Sequence, residues 1–135
     1  MIEILLVISI VLTVGFFSGA FPLRLISRMS VYNSADELKS VLRKAETYAQ
    51  SGREHSDWGV HYNNSVATLF KGDTYNRDQS FDEKTNIDEK VSVAGFTDIV
   101  FIAPGGRPQT PISNIILTRD NLTVSFSINA EGVIE

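Results

Sequence analysis

The segment that decides the fold is residues 4–23, which read ILLVISIVLTVGFFSGAFPL without a formal charge. A helix of about 20 residues reaches roughly 30 Å, the thickness of the hydrocarbon core of a bilayer. Three interpretations compete: a cleaved secretory signal, a plain single-span anchor, and a helix with a further specific role. The run is long and no Lys or Arg precedes it, which disfavours a cleaved signal. Glu3 lies at its outer edge, where a carboxylate is costly unless it is neutralised or stays wet.

The remainder of the chain has the composition of a soluble domain. The chain has 135 residues, enough for one domain, and Glu3 is the only one of its 12 basic and 16 acidic residues that lies in residues 1–23. The absence of cysteine excludes disulfide scaffolds, zinc–thiolate sites and thiol catalysis. The net charge of −4 disfavours a general binder of nucleic-acid backbones.

An amphipathic helix is predicted over residues 30–52, because apolar side chains recur there at spacings of three and four and charged side chains lie opposite them. Four residues of the apolar stripe are expected to pack against a sheet: Leu38, Leu42, Ala45 and Ala49. Gly52 is the predicted stop. Residues 34–37 read as a capping box that would start a new helix at Ala35. That start conflicts with one helix running on from the apolar run, but both can hold if the helix is kinked or loosened near Pro22 to Ser34.

Short β-rich runs follow Gly52. The polar residues 71–90 are predicted to form an exposed excursion with one weak strand, and residues 103–111 a loop, because three prolines and two glycines block regular structure. The predicted strands are 58–62, 66–70, 91–93, 98–102, 112–118, 122–128 and 133–134. With no βαβ pattern, the sheet is expected to be antiparallel. The predicted fold class is α+β: a long N-terminal helix, with a transmembrane half and an amphipathic half, packed on an antiparallel β-sheet domain.

The first 25 residues resemble the start of the type IV pilin and type II secretion pseudopilin superfamily. Glu3 matches the glutamate near the mature N-terminus of that family, and the apolar run matches its helix. Pro22 matches the proline near the end of that run, where the helix is expected to kink. The resemblance implies a pilin-like fold, with residues 1–28 as the transmembrane and filament-core half of the helix and residues 29–135 as the globular domain. The order of elements, with Trp58-Gly59-Val60 after the helix, is also similar to the H-type minor pseudopilins.

The resemblance implies a structural subunit of a pilus or secretion pseudopilus that assembles through its hydrophobic helix, in which Glu3 helps subunits join by pairing with a neighbour's N-terminal amine. The implied partners are other pilin or pseudopilin subunits, the inner-membrane assembly platform, membrane lipid and, if a leader exists upstream, a prepilin peptidase. The implied location is the bacterial inner membrane, as a single-pass protein with an extracytoplasmic C-terminal domain, and the filament after assembly.

The family is made with a basic leader that ends in glycine and is cleaved before an N-methylated residue. The sequence begins Met-Ile-Glu, about two residues short of that mature start. Three interpretations stay open: a start codon assigned too late, a trimmed chain, or a divergent homologue that is not processed.

No catalytic, cofactor or metal site is expected. His55 and His61 have no partner in sequence, and no nucleophile elbow, phosphate loop or HExxH motif is present. Residues 73–78 are expected to be a solvated loop rather than a calcium site, and residues 104–108 a turn rather than a phosphate cradle. An enzyme is therefore the least favoured class. The alternative to a filament subunit is a membrane-anchored extracytoplasmic binding module that does not polymerise, of which a DNA-uptake minor pilin is one form.

Overall fold

The computed structural model describes residues 2–17, 21–76 and 78–135. The chain folds as an α+β protein with antiparallel strands, as predicted, and the strands form two sheets instead of one. The helices are α1 (Ile2–Phe17) and α2 (Phe21–Gln50). The strands are β1 (Trp58–Asn63), β2 (Val66–Lys71), β3 (Glu83–Asn86), β4 (Ser92–Ala94), β5 (Asp98–Ile102), β6 (Arg107–Pro108), β7 (Ile112–Arg119) and β8 (Leu122–Ile128). Two short 3-10 helices, Arg53–His55 and Gln79–Phe81, lie between them.

The first helix, α1, is 16 residues long and apolar on every side. Among the described residues, no helix combines the length and the apolar character needed to cross a bilayer. Residues 18–20, which lie between the two helices, are outside the described residues.

The second helix, α2, runs without interruption through Ser34, so the helix start predicted at Ala35 is wrong. Ser34 is only 2% exposed and lies on the same buried face as Val31 and Leu38. Burial of one continuous apolar stripe outweighs the local capping preference, because tertiary packing supplies most of the stability of a helix in a protein. The helix ends at the predicted place: Gly52 has a φ of 63°, and its amide donates to the carbonyl of Ala49 at 3.0 Å.

Pro22 is the second residue of α2 and lies in its first turn. Proline is tolerated there, because the backbone amides of the first turn have no acceptor within the helix. The kink predicted near it would involve residues 18–20, which the structure does not describe. The kink therefore stays a prediction.

The five-stranded sheet has the order β3-β2-β1-β5-β6, and the three-stranded sheet has the order β4-β7-β8. The β1–β2 hairpin is confirmed: Asn64 and Ser65 both have positive φ, 47° and 61°, as a tight two-residue turn requires. The short β6 was not predicted. It lies in residues 103–111, which were predicted to form a loop, and it pairs with the end of β5. β6 is at the edge of the sheet, where a proline is tolerated. The predicted last strand is reduced to one bridge between Ile128 and Ile134.

One hydrophobic core lies between α2 and the two sheets. Every buried apolar residue among those described lies between Val31 and Ile128. The largest are Trp58, Phe70 and Phe101, all at most 1% exposed. The first turns of α2 and the whole of α1 therefore extend beyond the core.

Candidate functional site

The surface of α1 is the most unusual feature of the molecule, because every residue from 2 to 15 is exposed. The apolar side chains among them are 49–80% exposed. The two hydroxyls on the helix do not interrupt this surface, since Ser9 Oγ donates to the carbonyl of Leu6 at 2.9 Å and Thr13 Oγ1 donates to the carbonyl of Ser9 at 2.5 Å. A helix that is apolar all round is normally covered by protein or lipid. This helix therefore presents a surface that requires a covering partner.

Glu3 lies in the first turn of α1 and is its only charged residue. A carboxylate there is favoured by the partial positive charge of the helix N-terminus. Among the described residues, none forms a hydrogen bond or an ion pair with this carboxylate. Glu3 is thus the one charge on the apolar surface, and it is exposed.

The second half of α2 fixes the helix to the β-strands. Leu38, Leu42, Ala45 and Ala49 are each fully buried, in the same core cluster as Phe126 and other strand residues. The small side chains at 45 and 49 let the helix backbone approach the sheet closely, while the two leucines fill the remaining space.

Charged side chains border this buried face of α2. The Lys39 ammonium lies 5.0 Å from the centre of the Phe126 ring, and the Lys44 ammonium pairs with Glu83 of β3. These contacts are interactions between side chains at the surface of the protein.

A cluster of polar side chains ties the first half of α2 to two turns of the β-domain. Ser30 Oγ donates to Asp88 Oδ2 at 2.5 Å, and Arg119 Nη1 donates to the same oxygen at 2.9 Å. One turn earlier, Ser27 Oγ donates to Asp120 Oδ2 at 3.1 Å. This cluster, called the Asp88 clamp below, lies next to Val31, where the core begins, and fixes the direction in which the helix leaves the domain.

His61 was predicted to be an ordinary residue of a strand, but in the structure it has a carboxylate partner. Its Nδ1 lies 2.6 Å from Asp98 Oδ1, and its ring stacks on Tyr75 with the ring centres 3.8 Å apart. The pair forms because β1 and β5 are neighbours with His61 opposite Asp98, which the order of strands along the chain does not reveal. In the described part of the chain no serine or threonine hydroxyl hydrogen-bonds this pair.

The two loops considered for ligands take local roles instead. Asp78 accepts hydrogen bonds from the amide and the hydroxyl of Ser80, and no group of three or more histidine or acidic side chains within the described ranges is placed to hold a metal ion. Gly106 packs on the end of α2, since an added Cβ would meet the carbonyl oxygen of Glu46 at 3.1 Å. Burial raises the pKa of the Glu46 carboxyl, and the charge of Arg43 opposes this effect.

An open cleft of about 520 Å³ lies between the five-stranded sheet and residues 109–114. Its lining includes three aromatic residues, Phe70, Tyr75 and Phe96. It also includes Asp98, the first residue of β5.

No protein-family model matches the chain, and neither a curated protein nor a solved structure does. A function is therefore inferred from the exposed apolar helix, its single acid and the folded domain that carries it.

Proposed function

We propose that this protein is a structural subunit of a type IV pilus or type II secretion pseudopilus. In this proposal α1 is the element through which copies assemble, and the second half of α2 with the two sheets forms a pilin-like outer domain. The single observation that carries the proposal is an apolar helix exposed on all sides and attached to a separate folded domain.

The exposed surface of α1 gives the physical reason for assembly. Covering one large aliphatic side chain contributes about 1.5–3 kcal/mol, and α1 carries nine exposed isoleucine, leucine and valine residues between positions 4 and 14. Water is therefore a poor environment for this helix. In the sequence the apolar run continues to residue 23, long enough for lipid to cover it before assembly, and the helices of other copies would cover it afterwards.

Glu3 gives assembly its specificity. When α1 is surrounded by other apolar helices, an unpaired carboxylate is expensive. The N-terminal amine of a neighbouring subunit would neutralise it, but only when the two helices are correctly aligned. Glu3 then acts as a check on alignment between subunits and contributes little to the fold of one subunit.

The proposal implies partners and a location. The partners are other pilin or pseudopilin subunits, an inner-membrane assembly platform, and a prepilin peptidase that acts on a leader. Before assembly the protein would be held in the bacterial inner membrane with residues 29–135 outside the cytoplasm. No catalytic role is proposed.

A membrane-anchored binding module that never polymerises is the second candidate. The open cleft beside Tyr75 and Asp98 favours it, because a cleft lined by aromatic rings and a carboxylate offers both apolar contact and polar recognition. The net charge of −4 makes nucleic acid a poor ligand for such a module.

Copurification with filaments from the native cell tests the proposal. Filaments sheared from wild-type cells should contain the protein, and cells without the prepilin peptidase should retain it in the membrane. A basic stretch ending in glycine, encoded immediately upstream, would be an independent sign of processing. A protein that is absent from filaments and indifferent to the peptidase would contradict the proposal and favour the binding module.

A further inference from the structure

The face of α2 that points away from the sheets carries a regular pattern of its own. Leu25, Met29, Tyr32, Asp36 and Arg43 succeed one another at spacings of four, three, four and seven. Spacings of three, four and seven keep these five residues on one side of the helix, where they can form a seam with a parallel helix. The three apolar members are 53%, 64% and 52% exposed, and the two charged members are exposed as well. These five residues are called the outer stripe below.

The two charged members of the outer stripe are exposed, and the interaction found for them within the chain is the effect of the Arg43 charge on the Glu46 carboxyl. Among the described residues, none forms a hydrogen bond or an ion pair with the side chain of Asp36 or of Arg43. The adjacent Lys44 differs, because it pairs with Glu83 of its own chain. Asp36 and Arg43 are seven residues apart, so they lie on the same side of the helix, two turns from each other.

We propose that the outer stripe packs, in parallel, against the outer stripe of a second copy of this chain shifted by seven residues, so that Asp36 of one copy faces Arg43 of the next. The proposal rests on the proposed function, since it takes the neighbour to be another subunit. What it adds is the register between the two subunits and the residue pair that selects it.

The charges distinguish this register from the in-register parallel arrangement. Without a shift, Asp36 would face Asp36 and Arg43 would face Arg43, and like charges at a helix seam repel. A shift of seven residues turns both repulsions into one attraction. The same shift places Tyr32 opposite Leu25, so that these two exposed apolar side chains also cover each other.

An antiparallel pair fits the apolar residues poorly. It would also place Asp36 opposite Arg43, but it would carry Leu25 past residue 50, where α2 ends. It would moreover direct the two α1 helices in opposite directions, which a shared membrane or filament core does not allow. An exposed ion pair contributes little binding strength, so the effect of Asp36 and Arg43 is on the choice of register.

Cysteine crosslinking in the native cell reads the register directly, because the chain has no cysteine of its own. The full-length variant Leu25→Cys/Tyr32→Cys, treated with a thiol oxidant, should give a ladder of linked multimers, since each copy joins the next. Each single cysteine variant should stay monomeric on the denaturing gel. The control Tyr32→Cys/Thr47→Cys should give no ladder, because only an antiparallel pair brings those two positions together.

Charge reversal then tests the role of Asp36 and Arg43. In the crosslinking variant, Arg43→Asp should reduce the ladder several-fold, and the double change Asp36→Arg/Arg43→Asp should restore it. Glu89→Arg, an exposed reversal on the β-domain, should leave the ladder unchanged.

The outcomes separate this inference from the proposed function. Dimers from Tyr32→Cys alone, products from the Thr47 control, or a ladder indifferent to Arg43→Asp would overturn the register. Filaments that contain the protein without a link between positions 25 and 32 would overturn the register and leave the proposed function standing. A wild-type protein that never enters filaments would contradict the proposed function, and the register with it.

Discussion

Asp88 is the residue through which the exposed half of α2 is held to the β-domain. Its carboxylate accepts from Ser30 and Arg119, and also from the backbone amide of Lys90 at 2.9 Å. The Ser30 hydroxyl, followed by the Lys90 amide and the positive charges nearby, holds the pKa of this carboxyl below its ordinary value. The contacts therefore favour the ionised form in the folded chain.

A pH-dependent loss of stability is expected for Asp88→Asn. A carboxyl whose pKa is lower in the folded than in the unfolded chain stabilises the fold above its unfolded pKa of 3.8, and the effect disappears as the pH falls through the folded pKa. Asp88→Asn should thus lower the free energy of unfolding at pH 7 and lower it less at pH 3. Urea unfolding, followed by the fluorescence of the single tryptophan, Trp58, measures both values.

Asp36→Asn is the matched control, because Asp36 is exposed and its side chain forms no hydrogen bond or ion pair with a described residue. Variants have to be compared with the wild type at each pH, since burial raises the pKa of Glu46 and of Asp82 and gives those groups the opposite pH dependence. Equal losses for Asp88→Asn and Asp36→Asn would show that the clamp does not stabilise the fold.

Individual residues differ in how far the sequence could place them. The sequence predicted that Leu42 is a core residue, because the spacing of apolar residues that identifies the buried face lies within one helix. The partnership of His61 with Asp98 could not be predicted, because it depends on which strands are neighbours in the sheet. Arg119 in the clamp was missed for the same reason: it and Ser30 meet the Asp88 carboxylate only after three distant segments have folded together.

At the scale of elements, α2 is the component on which both sheets depend. Leu42 is fully buried in the middle of its core-facing stripe. Leu42→Ala should therefore lower the free energy of unfolding by about 2–5 kcal/mol, the usual cost of truncating a buried leucine. The measurement is urea unfolding of the full chain in detergent, again followed by Trp58.

Leu25→Ala makes the same chemical change in the same helix at a position that is 53% exposed. In detergent, where copies are separated, it should change the free energy of unfolding by no more than about 0.5 kcal/mol. Similar losses at Leu42 and Leu25 would mean that the core-facing stripe has been assigned to the wrong side of α2.

The elements that the sequence predicted well are those with a strong local pattern. β8 begins and ends where the alternation of Leu122, Val124, Phe126 and Ile128 predicted. The elements that it missed depend on distant partners. β6 is a strand only because its two residues pair with β5, and the capping box at Ser34 failed because the sheets bury that serine. The division into two sheets is likewise a property of long-range pairing.

At the scale of the whole molecule, the core and the exposed helix are separable. No buried apolar residue among those described precedes Val31. Removal of residues 1–28 should therefore leave a soluble, monomeric domain with the circular dichroism of an α+β protein. Removal of residues 1–38 should prevent folding, since it takes away Val31, Ala35 and Leu38. An insoluble or unfolded 29–135 would contradict the division into an apolar helix and an independent domain.

The central claim is that copies assemble through α1 and that Glu3 controls their alignment. The most direct test is the amount of Glu3→Leu protein in filaments formed by the native apparatus, with the natural N-terminus of the protein. Glu3→Leu should insert into the membrane and keep a folded β-domain, yet enter filaments at a small fraction of the wild-type level, because no charge remains to pair with the amine of the neighbour. Glu3→Asp should be partly incorporated, and Glu89→Leu, on the outer domain, should behave as wild type. Wild-type incorporation of Glu3→Leu would contradict the claim, since it would make Glu3 an ordinary residue at a wet boundary.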